Sequence, residues 1–234
     1  MQFIVGAGSG RLVDLSVVVD ASTQGPPAAG SPPVLFDTTH RGPGHWQSSR
    51  MTTLLHTGTH VDAPLHVVTK GEPIDRVALE RVIGEAVTVD VHDARPREAI
   101  DTDRLEAARA EIVEGDIVVV RTDWTDRTWG RFPEYYTRSP FLTRDAARWL
   151  ADRQPSAVVV DFFEEECAIS SDFTSEDFVV HRELLGRGIP IVEQAMNLGA
   201  VGRERFRLFA PFVLLGGVEA APCRIFAIAP DGPV

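Results

Sequence analysis

The chain has 234 residues, 44% of them hydrophobic and 24% charged, which is enough to bury one sizeable core and reads as a single domain over 1–234. Its formal net charge of -11 excludes the basic, phosphate-tracking face of a nucleic-acid binder. No apolar run reaches membrane-spanning length, and the opening Met1-Gln-Phe-Ile-Val-Gly lacks the pattern of a secretory signal, so a cytoplasmic protein that uses neither membrane nor nucleic acid is expected.

Short β-branched, apolar runs predict strands over 12–19, 86–91, 116–121, 157–162, 189–192, 212–215 and 224–228. The stretch 23–44 is rich in Pro, Gly, Ser and Thr and predicts a long surface loop. Helical spacing falls over 102–110, 143–152 and 175–185. Thr143 can cap the second of these, and Thr174 or Ser175 the third, with Glu176 and Asp177 set against the positive end of the helix dipole. Gly186 and Gly188 then end that helix before Pro190. Cys167 and Cys223 are too far apart for a metal-binding or redox pair and read as buried thiols. The layout is mixed α/β.

Three of the seven histidines, His56, His60 and His66, fall within eleven residues, with Asp62 among them. A lone histidine ordinarily only hydrogen-bonds, but this clustering calls for a cation. In extended backbone His56, His60 and Asp62 project to one side, because side chains alternate with period two. Imidazole nitrogen and carboxylate oxygen suit zinc and manganese alike. Gly58 allows a turn or a close approach, Thr57 and Thr59 offer hydroxyls that could orient ligands, and Pro64 stiffens the exit.

The pattern His56-x-Gly58-Thr59-His60-x-Asp62-x-Pro64-x-His66 resembles the signature of the cyclase family, which includes bacterial kynurenine formamidase and isatin hydrolase. Asp14-Leu15-Ser16, Gly115 to Val118 with Arg121 to Trp124, His181-Arg-Glu-Leu-Leu-Gly, Ile191-Val192-Glu193 and Asn197-Leu198 extend the resemblance over most of the chain. It implies an α/β, swivelling β/β/α-type fold with a barrel-like central sheet flanked by helices, assembled as a homo-oligomer. It also implies one or two ions, Zn2+ or Mn2+. The first would be held by His56, His60 and Asp62, and a second would share Asp62 and take His181 and Glu193. His66 would be the acid/base. Independently, His181 falls on the apolar stripe of its helix with Phe178, Leu184 and Leu185 and should face inward.

The implied activity is hydrolysis of an amide or cyclic amide C–N bond in a small molecule. The second reading is a cyclisation or dehydration in aromatic polyketide biosynthesis on the same site. Two departures from formamidase-like members bear on the choice. Asp161-Phe-Phe-Glu164-Glu165-Glu166-Cys167 is unusually acidic, and is either pocket lining or a solvated turn. Pro32-Pro-Val-Leu-Phe-Asp37 does not reproduce a Trp-Pro-Gly-Asp-like element, which leaves Trp46 as a different candidate substrate contact, while the loop 23–44 is the segment placed to reach across a protomer interface.

Overall fold

The structure is a computed structural model that describes residues 10–230 except Ala168, Ser171 and Arg203. Thirteen strands are defined among them: β1 (Gly10–Asp14), β2 (Leu35–Arg41), β3 (Trp46–Thr52), β4 (His60–Asp62), β5 (Ile83–Asp90), β6 (Ala99–Ile100), β7 (Ile117–Arg121), β8 (Phe141–Leu142), β9 (Ala157–Val160), β10 (Ile191–Glu193), β11 (Arg205–Phe209), β12 (Ala220–Pro222) and β13 (Phe226–Pro230). The helices are α1 (Leu79–Val82), α2 (Thr102–Ala107), α3 (Trp124–Thr128), α4 (Glu134–Thr137), α5 (Arg144–Ala151) and α6 (Val179–Leu185).

Nine strands form one curled sheet in the order β1-β13-β11-β5-β7-β9-β10-β4-β12. Its centre, β5-β7-β9-β10, is parallel and both flanks are antiparallel. Parallel strands covered on both sides need apolar residues at every position, and Ile117 to Val120 and Ala157 to Val160 are buried throughout. Alternation divides them between two cores. Val118, Val120, Val158 and Val160 pack with Leu105, Leu150, Val180 and Leu184 of the helices. Ile117, Val119, Ala157 and Val159 pack with Val61, Leu15, Leu208 and Ala227 on the concave side.

Most predicted elements are present with shifted ends. Thr143 caps α5 by accepting the Ala146 N–H, and Asp101 caps α2 by accepting the Arg104 N–H. The helix expected over 175–185 is broken at Phe178, whose ψ of 67° separates a capped 3-10 turn, Ser175–Asp177, from α6. The first strand stops at Asp14, and the run 212–215 holds only an isolated bridge from Phe212 to Cys223. Cys167 is exposed and Cys223 half-buried, so the expectation of two buried thiols holds for neither in full.

The expected loop 23–44 has two characters. Its first part packs down, with a 3-10 turn at Pro27–Ala29. Its second part is strand β2 of a hairpin with β3, every residue of which is exposed. With no buried side, that hairpin carries no period-two hydrophobic alternation to read from sequence. Trp46 sits at its end, half-exposed.

Candidate metal centre

The centre lies where the parallel sheet meets its antiparallel flank, at the carboxyl ends of β9 and β10. This is the edge at which open α/β sheets place ligands. In the antiparallel pairing of β10 with β4, Glu193 stands opposite His60 and Ile191 opposite Asp62. Residues directly opposite share a face, and so do residues two apart. One register therefore brings His60, Asp62 and Glu193 together, all buried.

His56 arrives differently from expectation. It is not on a strand with His60 but on a turn before it, made at Gly58 with φ +76°. A Cβ at Gly58 would lie 2.2 Å from Val19 Cγ2. Gln194 locks the turn: its side-chain oxygen accepts the Gly58 N–H at 2.9 Å, and its carbonyl accepts the Thr59 hydroxyl at 2.9 Å. Thr59 also accepts the Val17 N–H at 3.0 Å, so it fixes the loop rather than a ligand. After β4, Pro64 opens a 3-10 turn ending at His66, whose ring centre lies 4.2 Å from that of His56 and 5.2 Å from that of His181.

The opposite wall comes from α6 and from the chain leaving β9. His181 is buried on the inner side of α6, as its apolar stripe predicts. The acidic run is not a solvated turn: Asp161, Glu164 and Glu165 are all buried, and only Glu166 and Cys167 are exposed. Its backbone is pinned, with the Phe163 N–H donating to Ser139 Oγ at 2.9 Å and the Leu142 N–H to the Glu164 carbonyl at 3.0 Å. Glu165 accepts the N–H groups of Val179, Val180 and His181 at 2.8–3.1 Å and the ring N–H at His181 Nδ1 at 2.9 Å. A single carboxylate thus anchors the start of α6 and aims its histidine.

Asp62 joins the two walls. Its Oδ1 lies 3.0 Å from His56 Nδ1 and 3.3 Å from His60 Nε2, and its Oδ2 lies 3.3 Å from His181 Nε2. Glu193 Oε1 lies 3.0 Å from His181 Nε2, and Glu164 Oε1 lies 3.5 Å from it. Yet His60 Nε2, both Asp62 oxygens and both Glu164 oxygens are buried without a hydrogen-bond partner. Buried polar atoms are almost always paired, so donors that approach one another without bonding have the character of lone pairs aimed at a common cation. The histidines are also oriented from behind, His60 Nδ1 by the Gly58 carbonyl at 2.8 Å and His56 Nε2 by Glu219 at 3.3 Å, as metal-binding imidazoles usually are. The residues present fit a divalent ion. Three of the four groupings among the described residues that could hold an ion lie here: His56, Asp62 and His66; His60, Asp62 and Glu193; and Glu164, His181 and Glu193.

The electrostatics agree. Burial opposes charge on His56, but the adjacent Asp62 and Glu219 carboxylates override it and raise its pKa to about 10. Burial likewise opposes charge on His181, and Asp62, Glu165 and Glu193 hold it well above its ordinary value. The same negative potential attracts a metal ion in place of those protons. Burial lowers His66 to about 4, helped by repulsion from His181 and His56, so its imidazole is neutral at neutral pH. Burial and the neighbouring Glu193 charge push Glu164 well above the usual carboxylate range.

Above the centre lies a cavity of about 220 Å³. His56, His66, His181, Glu193 and Gln194 form its floor, Leu54, Phe163, Phe173 and Phe178 its apolar sides, and Pro26, Ala28 and Ala29 from the packed part of the 23–44 loop complete it. Trp46, on the hairpin, does not line it. Four residues that sequence reasoning did not nominate stand against the candidate centre: Glu164, Glu165, Gln194 and Glu219. The acidic run was visible in sequence, but its burial was not.

Residues 13–166 match the Cyclase family model, about two thirds of the chain. The chain belongs to the cyclase family. A kynurenine formamidase from Salinibacter ruber is 34% identical over 192 residues, 80% of each chain. One from Bacillus thuringiensis is 26% identical over 175 residues, 75% of this chain and 77% of that one. A solved structure described as a potential metal-dependent hydrolase with cyclase activity superposes with a TM-score of 0.72 at 27% identity, over 96% of this chain and all of that one. An isatin hydrolase bound to the product analogue thioisatinate shares the fold with a TM-score of 0.80 at 23% identity, over 94% of this chain and 92% of that one. Among the described residues no helix is long and apolar enough to cross a membrane.

Proposed function

We propose that the chain, acting as one domain, is a metal-dependent hydrolase of an amide or cyclic amide C–N bond in a small, largely apolar molecule. The observation that carries this reading is the convergence of buried, unpartnered donors from His60, Asp62 and Glu164 beside His56, His181 and Glu193, which line an aromatic cavity. The relatives' names favour hydrolysis over the polyketide cyclisation reading.

The residues that would hold the ion or ions, zinc or manganese, are His56, His60, Asp62, His181 and Glu193. A divalent cation bound there would acidify a water molecule and polarise the substrate carbonyl. His66, which lines the cavity with its imidazole neutral at neutral pH, would accept the nucleophile's proton and return it to the departing nitrogen. Phe163, Phe173 and Phe178 would bind an aromatic or aliphatic group by burial, and no Lys or Arg lines the cavity among the described residues. Candidate substrates are therefore N-formyl aryl amines and lactams.

The test is metal content by plasma mass spectrometry beside turnover of those compounds, in wild type, His60→Ala and His66→Ala. Wild type should carry zinc or manganese, and His60→Ala should lose most of it. His66→Ala should keep it and lose turnover by roughly 100- to 10,000-fold. Metal loss in His66→Ala would instead make it a ligand, as its grouping with His56 and Asp62 permits.

The homo-oligomer expected from the family would use the β2–β3 hairpin, where Leu35, Phe36, Trp46 and Met51 are about half-exposed or more. A two-stranded ribbon is marginal by itself. Light scattering after size exclusion should show an oligomer that Phe36→Asp dissociates; a wild-type monomer at micromolar concentration would sink the idea.

A further inference from the structure

We propose that Glu164 is a cation ligand, forming with His181, Glu193 and Asp62 an oxygen-rich position that discriminates less against a hard divalent cation of the manganese type than the imidazole-richer position beside it. This rests on the metal-dependent reading above.

Glu164 is fully buried and neither of its carboxylate oxygens has a hydrogen-bond partner. Leaving an ionised carboxylate so placed is costly unless a cation satisfies it. Its backbone is pinned by Ser139 and Leu142, and its side chain is enclosed on all sides.

The spacing is that of ligands around one ion. His181 Nε2 lies 3.0 Å from Glu193 Oε1, 3.3 Å from Asp62 Oδ2 and 3.5 Å from Glu164 Oε1. Bonds of about 2.0–2.2 Å to a common metal set neighbouring donor atoms roughly 3–3.5 Å apart. The other oxygen of Asp62 turns away, to His56 at 3.0 Å and His60 at 3.3 Å. Asp62 therefore faces two positions of different chemistry. On one side stand two imidazoles with Asp62 Oδ1 and Glu193 Oε2, on the other a single imidazole with three carboxylates. Nitrogen-rich sets suit zinc, whereas carboxylate-rich sets favour manganese and other hard cations.

The test uses the full-length protein stripped by chelator and titrated calorimetrically with Mn2+ alone, with Zn2+ alone, and with one equivalent of each together. The spin resonance of bound Mn2+ is recorded in wild type and Glu164→Gln. Wild type should take up one Zn2+ and one Mn2+ simultaneously. Glu164→Gln should bind Mn2+ at least tenfold more weakly while its Zn2+ affinity changes less than about twofold. Unchanged Mn2+ affinity and stoichiometry in Glu164→Gln overturns the proposal and leaves Glu164 as a protonated partner of Glu193. A wild type that binds no divalent cation fails the hydrolase reading itself, a separate outcome. Should the variant not fold, wild type given one equivalent of each ion decides: a protein that retains no Mn2+ overturns the difference between the two positions, and co-occupancy supports it.

Discussion

Two loops meet at the centre and are held by opposite means. The one before β4, carrying His56, is held by backbone geometry: a positive φ at Gly58, the Gln194 amide and the Thr59 hydroxyl. The one after β9, carrying Glu164, is held by buried carboxylates, with Asp161 and Glu165 gathering backbone N–H groups. A steric loop should fail abruptly and at any pH. An electrostatic one should fail by degrees and feel protons.

The largest effect is expected on the steric side. Gly58→Ala must hold a φ of +76° and place a methyl group 2.2 Å from Val19 Cγ2. Backbone strain of about 1–3 kcal/mol adds to overpacking of similar size, and His56 is displaced from Asp62. Chemical denaturation should show a loss of roughly 2–5 kcal/mol, and mass spectrometry a matching loss of metal. Gly30→Ala is the control, since Gly30 has φ +78° but nothing within 4 Å of a Cβ; it should cost only about 1 kcal/mol. Equal losses in the two variants would mean that the clash with Val19 is relieved and the loop is not sterically set.

Next comes Glu165 on the electrostatic side. Glu165→Ala leaves three N–H groups at the start of α6 and the ring N–H of His181 without an acceptor. Desolvated donors without partners cost about 1–3 kcal/mol each when they stay buried, moderated here because water can enter the space left by the side chain. A net loss of about 2–4 kcal/mol is expected, with metal affinity down roughly 10- to 100-fold as His181 loses its orientation. Glu165→Gln keeps an acceptor oxygen and should fall between. If both variants bind metal as wild type does, His181 is aimed by helix packing alone.

The same contrast explains what could be read in advance. The steric loop is compact in sequence: His56 to His66 holds four side chains that the fold brings together and the glycine that turns them, so their clustering was legible from spacing. The register that brings Glu193 opposite His60 is long-range, and the residue was singled out in sequence by its strand end and the family resemblance. Glu164 and Glu165 were visible as an acidic run but not as buried groups, because nothing local distinguishes a solvated carboxylate from one packed under a helix 14 residues later in the chain. Only the tertiary neighbours Ser139, Leu142 and α6 decide it. The hairpin failed for the complementary reason. Residues 35–52 bury neither face, so the alternation that betrays a half-buried strand was never written there, and Gly42, Pro43 and Gly44 at the turn read as loop. The strands of the parallel centre were the easiest of all, since burial on both sides demands unbroken apolar runs.

The smallest effect expected, and the most diagnostic of an electrostatic loop, is at Asp161. Its Oδ1 accepts both the N–H and the hydroxyl of Thr122, and its Oδ2 accepts the Asp123 N–H, each at 2.7 Å. Burial raises its pKa to about 7, against the pull of these donors. Its folded value thus lies above the unfolded one near 3.8, and the folded state holds the extra proton between those two pH values. The stability this group contributes is fully present below the lower value and is lost as pH rises through the upper one. Asp161→Asn, which sets an amide NH2 against one of the donors, should cost about 1–3 kcal/mol near pH 4.5. It lacks the titration, so its deficit relative to wild type should shrink as pH rises toward 8, or change sign. Urea titrations at pH 4.5, 6 and 8 would show this. A deficit that stays constant or widens with pH would mean that the three donors stabilise the ionised carboxylate enough to offset its burial. The loop after β9 would then be set by hydrogen-bond geometry, as the loop before β4 is.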